Sequence, residues 1–191
     1  AAAAREHFRE AAEKGMVSAQ FALAEMFANG AGGDEDEAAA VRWLREAAEQ
    51  GHAAAQNNLA CRLFEGRGAK VNKKEALEWY AQAAGQDCIP AQFNLGQHLL
   101  KGEGAKPDRA AAYEWLGAAA EAGHTEAAYI LGRAIEQSRK DPAEAHRLIL
   151  QAAEGGLTDA QHTVATNFEN GTGCREDKGK AADWYTLAAE A

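Results

Sequence analysis

Three kinds of residue are scarce in this chain, and each scarcity excludes something. Val, Ile and Thr together number only 14 of 191 residues. β-Branched residues favour strands, so a β-rich fold is excluded first. There are 3 Pro and 3 Cys. An odd number of cysteines cannot all pair within one chain, so disulfides do not carry the fold. No run approaches the ~18 apolar residues that a spanning helix requires. Only two serines occur, Ser18 and Ser138. Basic residues are outnumbered, 20 against 29 acidic, for a net charge of −9, which argues against nucleic acid and anionic lipid as main partners. The start, Ala1 to Ala4, has no Met, charged leader or cleavage pattern, so the chain reads as a trimmed fragment.

What is present is alanine, 48 residues of it, with 19 glycines. Alanine is the best helix former, so helices with repeated glycine punctuation are expected. Paired alanines recur at Ala11-Ala12, Ala47-Ala48, Ala83-Ala84, Ala119-Ala120, Ala152-Ala153 and Ala188-Ala189, with spacings of 36, 36, 36, 33 and 36. Trp43, Trp79, Trp115 and Trp184 keep this register, and Leu148 takes the place in the fourth repeat. An Ala-Gln pair opens four repeats, at Ala19, Ala55, Ala91 and Ala160; the fourth repeat reads Ala127-Ala128. Gly-x-Gly follows at Gly30, Gly66, Gly102 and Gly171. A fixed period of this length is the mark of a repeat array. The expected layout is one repeat domain: a partial repeat over 1–15, then 16–51, 52–87, 88–123, a shortened 124–156, and 157–191.

Each repeat reads as two helices. In helix A the apolar positions step by four, as in Ala19, Leu23, Phe27 and Ala55, Leu59, Leu63, which is one face of a helix. The Gly-x-Gly supplies left-handed residues that stop it. Helix B follows Asp36, Asn72, Asp108, Asp141 or Asp177, each suited to cap the first turn for ~1 kcal/mol. Helix B ends at Gly51, Gly123 and Gly156; Asp87 replaces that glycine in the second repeat and makes its turn costlier or differently shaped. Small residues at Ala24, Ala60, Gly96, Gly132 and Ala165 face Ala40, Ala76, Ala112, Ala145 and Ala181 and allow close helix approach. The tryptophans are expected to cover this seam and reach the next repeat. The fourth repeat, three residues short, is expected to make a tighter turn around Ser138 and Lys140.

Gln92-Phe93-Asn94-Leu95-Gly96 followed by Asp108 through Trp115 resembles the Sel1-like repeat, a relative of the tetratricopeptide repeat. The resemblance covers nearly the whole chain. It implies an all-α, α/α superhelical solenoid of about eleven helices, right-handed and without sheet. It also implies a scaffold for protein complexes, in bacterial and eukaryotic settings. The compartment stays open among bacterial periplasm, secretion and cytoplasm. The chain opens inside a B helix and closes on another with no polar capping repeat, so a longer array or end-to-end self-association is expected.

Signals of chemistry are weak. No His-Glu-x-x-His occurs, and neither serine begins Ser-x-x-Lys, which counts against the β-lactam hydrolases described among relatives. The Gly-x-Gly pairs end helices instead of following strands, so they are not phosphate loops. His52 and His124 share one repeat position and read as turn residues. Cys61, Cys88 and Cys174 read as free thiols, and Asn170-Gly171-Thr172 as a turn despite its sequon form. The acidic run Asp34 to Glu37 is a solvated loop or a contact for a basic partner.

No cofactor, metal ligand or catalytic residue is assigned. The expected function is non-catalytic binding of a protein or peptide on a concave face lined by the A helices. The resemblance places the residue after Gln on that face, and helical spacing adds the residues one and two turns later. The candidate partner-binding residues are Phe21, Asn57, Phe64, Phe93, Gln97, Leu100, Tyr129, Arg133 and His162. Aromatics would serve as anchors, amides and Arg133 as polar contacts. The same rings could instead be packing residues between adjacent A helices. Two other functions stay open: a spacer or oligomerisation arm, and, by family analogy, a cell-wall or β-lactam hydrolase.

Overall fold

The computed structural model describes residues 2–191, and among them eleven α-helices and no strand. One compact unit runs to Asp108 and a second spans Arg109–Ala191. The first holds α1 (Ala2–Glu13), α2 (Val17–Ala28), α3 (Glu37–Glu49), α4 (Ala53–Glu65), α5 (Lys73–Ala84) and α6 (Ile89–Lys101). The second holds α7 (Arg109–Glu121), α8 (Thr125–Ser138), α9 (Pro142–Glu154), α10 (Thr158–Asn170) and α11 (Lys178–Glu190). Within each unit every helix packs on its neighbours in the chain. Helices α2, α4, α6, α8 and α10 are of the A type; α1, α3, α5, α7, α9 and α11 are of the B type.

The helix ends follow from the repeated residues. Asp36, Asn72 and Asp141 accept from the backbone N–H of Ala39, Glu75 and Glu144, and Asp177 accepts from Gly179 and Lys180. His52 and His124, read from sequence as turn residues, are helix caps: Nδ1 accepts from Ala55 N at 3.2 Å and from Ala127 N at 3.3 Å. Each B helix that precedes an A helix closes in a Schellman turn. At the first, Gly15 N–H donates to Ala12 O and Met16 N–H to Ala11 O, with Gly15 at φ 83°. The turn at Asp87 keeps the same pair of bonds, to Ala84 O and Ala83 O, so its shape is unchanged. Its φ of 58° is the left-handed region, costly for a residue with a side chain.

The Ala-Gln signature has a second purpose. Gln20, Gln56, Gln92 and Gln161 are buried, and each Nε2 donates to the carbonyl of the second paired alanine eight residues earlier: Ala12, Ala48, Ala84 and Ala153. The amide ties the start of an A helix to the end of the preceding B helix. Ala128 cannot do this. Gln151 of α9 instead reaches Ala120 O at 2.7 Å, satisfying the same carbonyl from another helix.

The seam between A and B helices is closed by small residues, as expected within each unit. Ala24, Ala40, Ala60, Ala76 and Ala165 are fully buried. A Cβ on Gly132 would stand 3.0 Å from Ala145 O and 2.7 Å from Ile149 Cγ1, so only glycine fits there. The tryptophans are not the most enclosed residues of the B helices. All four are half-buried, and full burial falls to the next residue along: Leu44, Leu116 and Ile149 are wholly enclosed and Tyr80 nearly so. Trp43 covers the cluster that holds Leu23, Phe27 and Ala40. Trp79 instead donates Nε1–H to Glu75, which also holds Arg45 of α3 at 2.7 Å.

The fourth repeat has the tight turn expected. Helix α8 runs on to Ser138, and Arg139, Lys140 and Asp141 alone lead into α9. Arg139 takes φ 55° in place of the missing glycine, and Ser138 Oγ donates to Ile135 O at 2.7 Å.

Candidate functional site

In the first unit the A helices meet through polar side chains two positions after the signature Gln. Asn58 Nδ2 donates to Glu25 Oε1 of α2 at 3.1 Å. Asn57 Nδ2 donates to Asn58 Oδ1, and Asn94 of α6 donates to Asn57 Oδ1 at 3.2 Å. A chain of one carboxylate and three amides therefore runs across α2, α4 and α6. Asn57 is only 9% exposed, while Phe93, Gln97 and Leu100 are half-buried. Two of the candidate rings are held by histidines. Phe21 stacks on His52 with centroids 4.7 Å apart, and Phe64 stacks on His98 at 3.9 Å, with Lys73 Nζ 4.5 Å from its centre.

His98 anchors a denser cluster that sequence reading did not single out. Its Nδ1 lies 2.9 Å from Glu103 Oε2 and its ring 5.7 Å from that of Tyr80. Tyr80 donates its hydroxyl hydrogen to Cys61 Sγ at 3.1 Å. Burial pushes the Cys61 thiol up from its ordinary value and the Tyr80 phenol up as well, so neither is a ready nucleophile. Burial also lowers His98, against the opposing pull of Glu103. The signal available in sequence for the amide chain was Asn58 and Asn94, which share the position two residues after Gln in two adjacent repeats.

In the second unit the candidate residues are more separate. Tyr129 OH shares a hydrogen bond with Thr163 of α10 at 3.4 Å. Arg133 is taken up by Glu136 on its own helix at 2.8 Å. His162 is exposed and lies edge-on to Tyr185, 5.4 Å between centroids. Buried His146 sits edge-on to Phe168 and 3.5 Å from Asn167 Nδ2; burial lowers its pKa.

Among the described residues no group of three or more His, Cys, Asp or Glu could hold a metal ion. The three cysteines are free. No helix among them is long and apolar enough to cross a membrane.

The Sel1 repeat model matches six consecutive segments, residues 1–16, 17–52, 53–88, 89–124, 125–157 and 158–191. The chain belongs to the Sel1 repeat family. Solved Sel1 structures carry the same fold. A protective antigen present in uropathogenic Escherichia coli strains superposes with TM-score 0.93 at 31% identity, over 96% of this chain and 40% of that one. This chain thus spans 40% of the length of that antigen. A Sel1 repeat protein from Oxalobacter formigenes gives TM-score 0.82 at 31% identity, over 91% of this chain and 70% of that one. Helicobacter pylori cysteine rich protein B shares the fold at TM-score 0.53 and 21% identity, over 66% of this chain and 96% of that one. No curated protein sequence matches the chain. The Sel1 Ala-Gln, paired-Ala and Gly-x-Gly signatures are the residues that build the caps and turns described above.

Proposed function

We propose that this chain is a non-catalytic protein-interaction scaffold that binds a peptide, helix or protein surface on the exposed faces of its A helices. The observation that carries the reading is the polar chain Glu25–Asn58–Asn57–Asn94 across three adjacent A helices, flanked by half-exposed rings. Amides offer paired donors and acceptors to a partner backbone, and rigid aromatic area supplies anchors. In the first unit the contacts are Phe21, Phe64, Phe93, Gln97 and Leu100, while Asn57, buried and bonded to Asn58 and Asn94, braces the helices that carry them. In the second they are Tyr129, Arg133 and His162. Glu25 and Glu103 add negative charge beside the first set and favour a partner with basic residues there.

The test changes one ring in each unit, Phe93→Ala with Tyr129→Ala. Proteins captured on the wild-type chain and on the double variant are compared by mass spectrometry, and affinity for the captured partner is then measured. The expected loss is at least ~2 kcal/mol if these rings are hot spots, with helicity by circular dichroism unchanged. Normal binding would overturn the reading; unfolding would mark the rings as packing residues.

A second reading, an oligomerisation arm, is favoured by exposed apolar side chains on the first and last helices and their turns. Phe8 is 40%, Met16 57% and Leu187 45% exposed. Light scattering on Phe8→Ser with Leu187→Ser checks it: an oligomer that dissolves in the variant supports this reading. The hydrolase analogy rests on family likeness alone.

A further inference from the structure

A cavity of about 600 Å³ is lined by residues of α1, α2 and α3 and the turn between the first two. Buried Gln20 forms part of it, its Nε2 on Ala12 O and its Oε1 accepting from Gln50 Nε2 at 2.7 Å. The half-buried indole of Trp43 is another part, and Trp43 also packs on the core cluster around Leu23 and Phe27. Glu13, Glu46 and Arg42 complete the charged lining. None of these three makes an ion pair among the described residues, although nine pairs form elsewhere in them.

We propose that this cavity binds an arginine side chain presented by a partner protein. A guanidinium is attracted to an indole face and stacks on it, and its planar fork pairs with carboxylates. Here the indole is fixed by the core behind it, and two carboxylates stand unpaired beside it. Glu13 is the last residue of α1, so the partial negative charge of that helix C-terminus adds to the same field. The net charge of −9 draws cationic segments toward the chain as a whole. Arg42 opposes an incoming cation. The same column holds Arg147 in the fourth repeat and an acid, Glu78, Glu114 or Asp183, in the other three. Arg42 is the one basic residue of the lining, and exchanging it for an acid leaves only acidic charges there. None of the lining residues belongs to the contact set of the reading above, so the proposal stands or falls independently of it.

The experiment follows the four tryptophan indole N–H signals of the ¹⁵N-labelled chain, with Trp43 assigned through Trp43→Phe. The probes are acetyl-Gly-Arg-Gly-amide, its lysine analogue and its glutamine analogue at constant salt. The arginine peptide is expected to shift the Trp43 signal saturably, and the other two to act more weakly. Arg42→Glu should tighten binding, and Glu13→Gln with Glu46→Gln should weaken it, each by about threefold, the scale of an exposed ion pair. All of these positions but Trp43 are exposed, so the fold is retained, which circular dichroism checks. A silent Trp43 signal, equal response to the glutamine peptide, equal or stronger binding of the lysine peptide, or weaker binding by Arg42→Glu would each overturn the proposal.

Discussion

A methyl group placed on Gly51 would meet nothing within 4 Å, while the same group on Gly68 would overlap the Glu37 carbonyl. Both residues lie in the left-handed region, at φ 87° and 69°. Gly51→Ala therefore bears only the backbone cost of ~1–2 kcal/mol. Gly68→Ala adds a clash with main chain that cannot rotate away, a further ~1–3 kcal/mol. Urea denaturation should separate the two variants by that margin, and equal losses would refute the contact. Asp87→Gly works in the opposite direction. It relieves a side chain held at φ 58° and should raise stability by ~1 kcal/mol, read as a higher urea midpoint. Sequence showed both glycines of Gly-x-Gly as helix stops. The second one has a further reason that only stacking exposes: Gly68, Gly104 and Gly173 press on the first residue of the preceding B helix, Glu37, Lys73 and Pro142.

Helices here are joined by side-chain amides as much as by apolar contact. Ala120 O is the test case, because its amide comes from Gln151 and not from the usual position, occupied by Ala128. Gln151→Ala removes one of two donors to the carbonyl of a buried residue, which keeps the Gly123 N–H, and should cost ~0.5–1.5 kcal/mol. Adding Ala128→Gln restores the arrangement of Gln56 and Gln161 and should recover most of the loss. A double variant no more stable than the single one would show that the two amides are not equivalent. The periodic alanines, caps and glycines made the helices and their order legible before any coordinates, including the short turn after Ser138. The partners of the polar columns were not legible. Asn57 meets Asn94 across 37 residues and Phe64 meets His98 across 34, distances along the chain that only the pitch of the stack brings into contact.

Stability across the whole molecule should depend on pH through two histidines, one in each compact unit. Burial lowers the pKa of His98, with Glu103 pulling the other way, and burial alone lowers that of His146. An unfolded histidine titrates near ~6.5. Below that value the unfolded chain takes up protons that the folded chain resists, so the folded state loses stability as pH falls. The contribution is complete above ~6.5 and declines from there through the lower folded values. Glu75, Glu103, Glu126 and Glu144 act in a different window. Their folded pKa values lie below the ordinary 4.5, held down at Glu103 and Glu144 chiefly by His98 and Arg147, so their contribution is lost only below that value. Between pH 6.5 and 5 the shifted groups that act are therefore the two histidines. Urea midpoints measured across that range should fall steadily for the native chain. His98→Gln with His146→Gln removes both titrations and should flatten the slope, whatever its effect on stability at pH 7.5. An unchanged slope in the double variant would show that the acid sensitivity comes from other groups.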